Sequence, residues 1–175
     1  VTSAPAKGTW EYELKFDGYR AIALKSGWSV RLVSRNGKDF TLRFPEIAEG
    51  VAALPVHTAI FDGEICALDG NGRPTFQLLQ GLEMRRRPPV VFYVFDLLRN
   101  EKTQLLSRPI SERRAQLGEL LRGVPDPIRY SSTIEGDPRA LLEEVRRRGL
   151  EGIIGKESSS RYQPGLRSRD WIKVK

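Results

Sequence analysis

The chain has 175 residues, 39% apolar and 29% charged, close to ordinary globular usage, which excludes a wholly disordered polypeptide. No apolar run is long enough to span a bilayer. One cysteine, Cys66, and one histidine, His57, leave no disulfide scaffold, no cysteine-based zinc site and little room for a His-rich metal centre. Lysine plus arginine is 29 against 22 acidic residues, a formal charge of +7, which suits a polyanion partner as well as a merely solvated basic surface.

Val1 to Gly8 has neither an apolar signal core nor an initiator Met, so the chain reads as a piece of something longer, from a reducing, intracellular setting. Residues 10 to 36 read as three strands. Tyr12 and Leu14 alternate with Glu13 and Lys15, Asp17-Gly18 reads as a hairpin turn, and Ser26-Gly27 reads as a second one. Pro45 opens a short helix with Ile47, Val51 and Leu54 inward, and Pro55 stops it. Ala59 to Leu68 reads as strands around Asp62-Gly63. Thr75 reads as the cap of a short helix through Leu79 that ends at Gly81. Arg85 to Pro89 is a basic loop, and Val90 to Phe95 a buried strand. Ser111 starts a helix carrying Leu117, Leu120 and Leu121. Asp137-Pro138 starts another, which buries Leu141, Leu142 and Val145 and ends at Gly149. Ile153-Ile154 is a short buried strand, Ser158 to Arg169 a polar basic loop, and Trp171 to Lys175 a closing strand. Hairpins dominate the first half and no linker interrupts the chain. The expectation is one antiparallel α+β domain over residues 1–175.

The chain has no Walker A sequence, no G-x-G-x-x-G and no G-x-S-x-G elbow, and His57 reads as a surface loop residue. Polar residues at strand ends remain. Glu13 and Lys15 share a strand face, with Asp17 and Arg20 close by. A lysine with a reference pKa of about 10.4 is neutral in only about one part in a thousand near pH 7.4, a handicap of about 4 kcal/mol. Desolvation, an adjacent cation or a metal would reduce it. By itself the hexapeptide from Lys15 to Arg20 reads as a hairpin with surface ion pairs.

Lys15-x-Asp17-Gly18-x-Arg20 nevertheless resembles the first signature of the covalent nucleotidyltransferases, which comprise ATP-dependent DNA ligases, RNA ligases and mRNA capping enzymes. Ser34 to Gly37, Phe61 to Glu64, Tyr93 to Leu98, Glu151 to Lys156 and Trp171 to Lys175 resemble the family's later motifs, in the family's order. Tyr162-x-Pro164-Gly165-x-Arg167-Ser168-x-x-Trp171 is most similar to bacterial ATP-dependent DNA ligases of the end-joining (ligase D) type.

The resemblance implies a fold of antiparallel sheets packed together with flanking helices, ATP-grasp-like, with ATP in the groove between them. It implies three steps: a lysine takes adenylate from ATP, passes it to a DNA 5′-phosphate, and a 3′-hydroxyl then displaces AMP. Lys15 would be the nucleophile. Glu13 would accept from the adenine amino group, Arg20 would hold ribose or phosphate, and Arg35 would bind phosphate through its planar fork. Glu64 would accept from a ribose hydroxyl and help place a metal, Mg²⁺ or Mn²⁺, with Glu151 as the main metal carboxylate and Asp17 near the metal or the DNA end. Phe95 and Ile154 would sandwich the adenine, although each alone reads as core; Lys173, Lys175 and Arg167 would contact phosphates. Arg85 to Arg87 and Arg146 to Arg148 read as solvated or DNA-backbone charge.

The expected partners are ATP, nicked or broken double-stranded DNA and end-joining proteins, for a monomer in the bacterial cytoplasm, at the nucleoid and away from membranes. Family ligases continue after the fifth motif into an OB-fold domain with a sixth motif, and none follows Lys175. The chain alone is therefore expected to hold lysyl-AMP but to charge slowly and seal poorly. An RNA ligase, a GTP-using capping enzyme and a non-catalytic DNA-binding module of the same fold are the alternatives.

Overall fold

The computed structural model describes residues 8–80, 87–166 and 168–174; Gly81, Arg85, Arg86, Arg167 and Lys175, all singled out above, lie outside them. In chain order the elements are β1 (Trp10–Leu14), β2 (Tyr19–Ser26), β3 (Ser29–Ser34), α1 (Pro45–Ala52), β4 (Thr58–Ala67), α2 (Phe76–Gln80), β5 (Val90–Asn100), β6 (Thr103–Gln104), α3 (Ile110–Leu120), β7 (Ile128–Tyr130), α4 (Pro138–Arg147), β8 (Ile153–Glu157) and β9 (Trp171–Val174).

They form two sheets. The smaller has the order β1-β8-β9, all antiparallel. The larger has the order β3-β2-β4-β5-β6, antiparallel throughout, with β7 added parallel to β5. The α+β expectation holds, and β6 and β7 are additions to it. Each sheet packs one face against helices. Behind the larger one, Phe61, Phe92, Val94 and Leu97 pack with Ile47 and Val51 of α1 and Leu117 of α3. Behind the smaller one, Tyr12, Ile153 and Val174 pack with Leu142 and Val145 of α4. Helix α4 begins as its sequence dictates: the Asp137 carboxylate accepts from Arg139 N at 3.0 Å and Ala140 N at 3.1 Å, and Pro138 fills the first turn.

Two readings of Asp-Gly are corrected. Asp17-Gly18 is no hairpin turn, because β1 and β2 belong to different sheets. It carries the chain from one sheet to the other past β4, where a Cβ on Gly18 would lie 2.2 Å from Ile65 O. Asp62-Gly63 is no turn either. Strand β4 runs straight through it, and a Cβ on Gly63 would lie 2.5 Å from both Phe92 Cε2 and Tyr93 O. Glycine is there for close approach rather than for reversal. Thr75 does not cap α2 with its side chain; its hydroxyl donates to Arg73 O at 3.4 Å, while Asp17 Oδ2 accepts from Phe76 N at 3.4 Å.

The pairing of β4 with β5 slips twice, between Ile60 and Phe61 and between Asp62 and Gly63. At the second slip Asp62 pairs with Asp96 and Gly63 with Val94, so Phe95 is the extra residue. A bulge of this kind re-aims a side chain. It lets Val94 and Leu97 both reach the core, while Phe95 looks into the space between the sheets.

Candidate active site

Register builds the site. Across the smaller sheet, Glu13, Ile154 and Lys173 are direct partners on β1, β8 and β9 and so form one row on one face. Across the larger sheet, Arg20 of β2 pairs with Glu64 of β4. These two rows, with Lys15 just past β1, Arg35 just past β3 and the re-aimed Phe95, line a cleft of about 240 Å³ between the sheets. Glu13, Lys15, Arg20, Arg35, Glu64, Phe95, Ile154 and Lys173 were all marked in the sequence, and all meet here. Leu14, Phe16, Lys156, Trp171 and Ile172 complete the lining.

Lys15 is fixed at the cleft floor. Its N–H donates to Gly152 O at 2.9 Å, and its Nζ pairs with the Glu151 carboxylate. Glu151 and Asp17 do not line this cleft. With Lys15 they line an adjoining cavity of about 740 Å³, whose wall includes the stacked rings of Phe16 and Tyr93, 3.9 Å apart. Lys15 thus stands between the two spaces, with Glu151 on one side. On the other, Glu64 feels its charge: burial pushes the Glu64 carboxyl up to about 7, against the pull of Arg20 and Lys15 and of a hydrogen bond from the Gly18 backbone.

Three acidic residues have their partners fixed. Asp62 is fully buried and holds Arg20 in a fork, Nε at 3.0 Å and Nη2 at 2.6 Å; the Tyr162 hydroxyl donates to the same carboxylate at 2.7 Å. Asp96, also fully buried, takes Arg113 Nε and Nη2, each at 2.8 Å. Glu13 accepts from Arg114 Nη1 at 2.6 Å and Ser131 Oγ at 3.2 Å, and pairs with Lys156. Lys156 is buried, its Nζ 4.4 Å from the Phe95 ring centre and 4.1 Å from that of Trp171. Burial lowers the pKa of its ammonium, while Glu13 and Asp96 pull it back.

The sequence reading gave no role to Lys156, Trp171, Tyr162, Asp62 or Arg113. Lys156 was findable, since it follows Ile154 by two on the same strand and therefore shares its face. Arg113 was not, because nothing local marks the two adjacent arginines of a charged helix, Arg113 and Arg114, as buried.

The two sheets and the cleft between them are those of the DNA ligase adenylation fold. A mycobacterial DNA ligase D solved with ATP and MES matches over 99% of this chain and 58% of that one, with a TM-score of 0.83 and 32% identity. A Chlorella virus DNA ligase-adenylate, 19% identical with a TM-score of 0.61, shares the fold. The chain belongs to the ATP-dependent DNA ligase domain family, whose model matches residues 3–175. In sequence it is 44% identical to the multifunctional non-homologous end joining protein LigD of Pseudomonas aeruginosa, over 100% of this chain and 21% of that protein. It is 35% identical to a probable DNA ligase of Streptomyces coelicolor, over 96% of this chain and 35% of that protein. The chain spans about a fifth of the length of the LigD relatives. Among the described residues, no helix is long and apolar enough to cross a membrane.

Proposed function

We propose that residues 1–175 are the adenylation domain of an ATP-dependent DNA ligase that acts in bacterial end joining, and that Lys15 is its nucleophile. The observation that carries this reading is the convergence, in one cleft, of a lysine, stacking groups, carboxylates and free cations from six separate sequence motifs. Lys15 Nζ forms the bond to the α-phosphorus of ATP; the bond to the bridging oxygen breaks, its electron pair leaves on pyrophosphate, and the Nζ proton goes to solvent. A DNA 5′-phosphate oxygen then takes the adenylate and returns the electron pair to Nζ. Attack by a 3′-hydroxyl on the phosphorus of the DNA 5′-phosphate then breaks its bond to the bridging oxygen; the electron pair leaves on AMP, the hydroxyl proton goes to solvent, and the strand is closed.

The chain's own residues hold the reactants. Phe95 and Ile154 take the two faces of the base. The Glu13 carboxylate, an acceptor held by Arg114 and Ser131, suits the amino group of adenine and not the carbonyl of guanine, which favours ATP over GTP. Arg20, fixed by Asp62, meets ribose or phosphate, and Arg35 and Lys173 face the phosphates. Glu64 and Glu151 on either side of Lys15 fit a divalent cation: both offer hard oxygens, and the partly buried Glu64 lacks full compensation for its charge. Among the described residues no three acidic, His or Cys side chains form a cage, which suits an ion such as Mg²⁺ that keeps water and phosphate ligands. When bound it would supply charge neutralisation at the α-phosphate.

The +7 charge fits a DNA partner. The reading extends to a monomer at the nucleoid, to end-joining partner proteins and to a following OB-fold domain in the parent protein. Intact-mass measurement after incubation with ATP and Mg²⁺ tests the central claim. One adenylate on the wild type and none on Lys15→Ala is expected; no adduct, or one mapped to another side chain, overturns it.

A further inference from the structure

Of the three lysines that line the nucleotide cleft, Lys156 is the buried one, at 1% exposure. An ammonium has three N–H donors. That of Lys156 pairs with Glu13, and among the described residues no hydrogen bond engages it further. Its other neighbours are ring faces, with Nζ 4.4 Å from the centre of Phe95 and 4.1 Å from that of Trp171. Ring faces attract a cation but replace the hydrogen bonds of water only in part. A buried donor left in this way costs free energy until an acceptor reaches it.

Glu13 has its own account of used and unused positions. A carboxylate offers about four acceptor positions. Arg114 Nη1 and Ser131 Oγ take two of them at Oε2, and Lys156 takes one at Oε1. The position left is therefore on Oε1, the oxygen that Lys156 shares. An acceptor and a donor thus stand side by side on the cleft wall, and Arg114 and Ser131 hold the carboxylate so that it cannot turn away.

Adenine offers the complement. Its amino group is a donor, and the ring nitrogen on either side of it, N1 or N7, is an acceptor. A base stacked on Phe95 takes the layer over that ring in which the ammonium lies, so it meets Lys156 at its edge and not at its face. We infer that Lys156 is a specificity-determining residue: its ammonium donates to N1 or N7 of adenine while Glu13 accepts from the neighbouring amino group. The identity of the base rests on the adenylation reading above; the paired donor and acceptor do not. Guanine has a carbonyl where adenine has the amino group, and so sets an acceptor against Glu13. Lys156 alone would accept guanine, whereas the pair reads donor and acceptor in order.

Titration calorimetry without divalent cation, so that no adduct forms, compares ATP with 1-deaza-ATP and 7-deaza-ATP, each of which has C–H in place of one ring nitrogen. Wild type should bind the analogue that lacks the contacted nitrogen about tenfold more weakly than ATP, the scale of one charged hydrogen bond. Lys156→Met should bind ATP about tenfold more weakly than wild type and no longer distinguish ATP from that analogue. A purely structural role would weaken all three ligands alike and leave their ratios as in wild type, which overturns the proposal. Equal binding of all three by wild type overturns it without any variant. Should Lys156→Met not fold, the double variant Glu13→Gln/Lys156→Met removes both charges of the pair together and should likewise lose the discrimination; discrimination that persists there overturns the proposal. If wild type forms no lysyl-AMP with Mg²⁺ but ATP binding depends on a ring nitrogen through Lys156, the adenylation reading fails and the contact stands. If the adduct forms and both analogues bind as ATP does, the reverse holds.

Discussion

Lys15 Nζ and the Glu151 carboxylate are paired across the wall between the two cavities. Pairing with a carboxylate belongs to an ammonium, whereas attack at phosphorus needs an amine, so the pair must open before Lys15 reacts. Lys15→Arg should form no adduct, because a guanidinium stays protonated. Glu151→Gln keeps the size and removes the charge; it should slow lysyl-AMP formation about a hundredfold, the scale of losing one electrostatic stabiliser. Mass spectrometry over a time course reads both, and an adduct on Lys15→Arg would move the nucleophile elsewhere.

Much of this was legible in the sequence, and the limits have a physical pattern. Alternation along a strand put Glu13 with Lys15, and motif order collected residues that lie far apart in the chain. Local pattern does not say which strand pairs with which. Asp17-Gly18 has the composition of a tight turn, yet its glycine answers to Ile65 O on another strand. The aim of Phe95 depends on one residue of slippage between β4 and β5, which leaves no mark on alternation. Strands β6 and β7, of two and three residues, are too short to carry a period at all.

Glu64 makes stability depend on pH. Burial raises its folded-state pKa to about 7 from 4.5. Between those values the folded protein keeps a proton that the unfolded chain releases, so rising pH favours unfolding; above about 7 both states are ionised and the effect levels off. This penalty is at most about 3 kcal/mol at high pH. Glu64→Gln should therefore gain stability over wild type on going from pH 5 to pH 8. Thermal melts at the two values read the difference, and parallel curves for the two proteins would count against it.

The adenine sandwich predicts a loss confined to binding. Base–aromatic stacking contributes about 1–3 kcal/mol, so Phe95→Ala should weaken ATP roughly tenfold to a hundredfold. Phe95 also borders Lys156 and Trp171, so Phe95→Leu serves as the control for packing. It keeps an apolar side chain without the ring face and should fall between the two. Equal ATP affinity in all three would remove Phe95 from the site.

Gly18 and Gly63 predict loss of fold rather than loss of chemistry. Their added Cβ atoms would meet backbone oxygens, Ile65 O at 2.2 Å and Tyr93 O at 2.5 Å, which cannot rotate away as a side chain can. Either alanine variant should cost about 3 kcal/mol, at the upper end of overpacking. Gly37 is the control: its φ is 76°, but nothing lies within 4 Å of its added Cβ. Gly37→Ala should cost about 1 kcal/mol through backbone strain alone. Chemical denaturation of the three variants tests the order, and a Gly18→Ala protein as stable as Gly37→Ala would mean that β4 moves aside for the crossing chain.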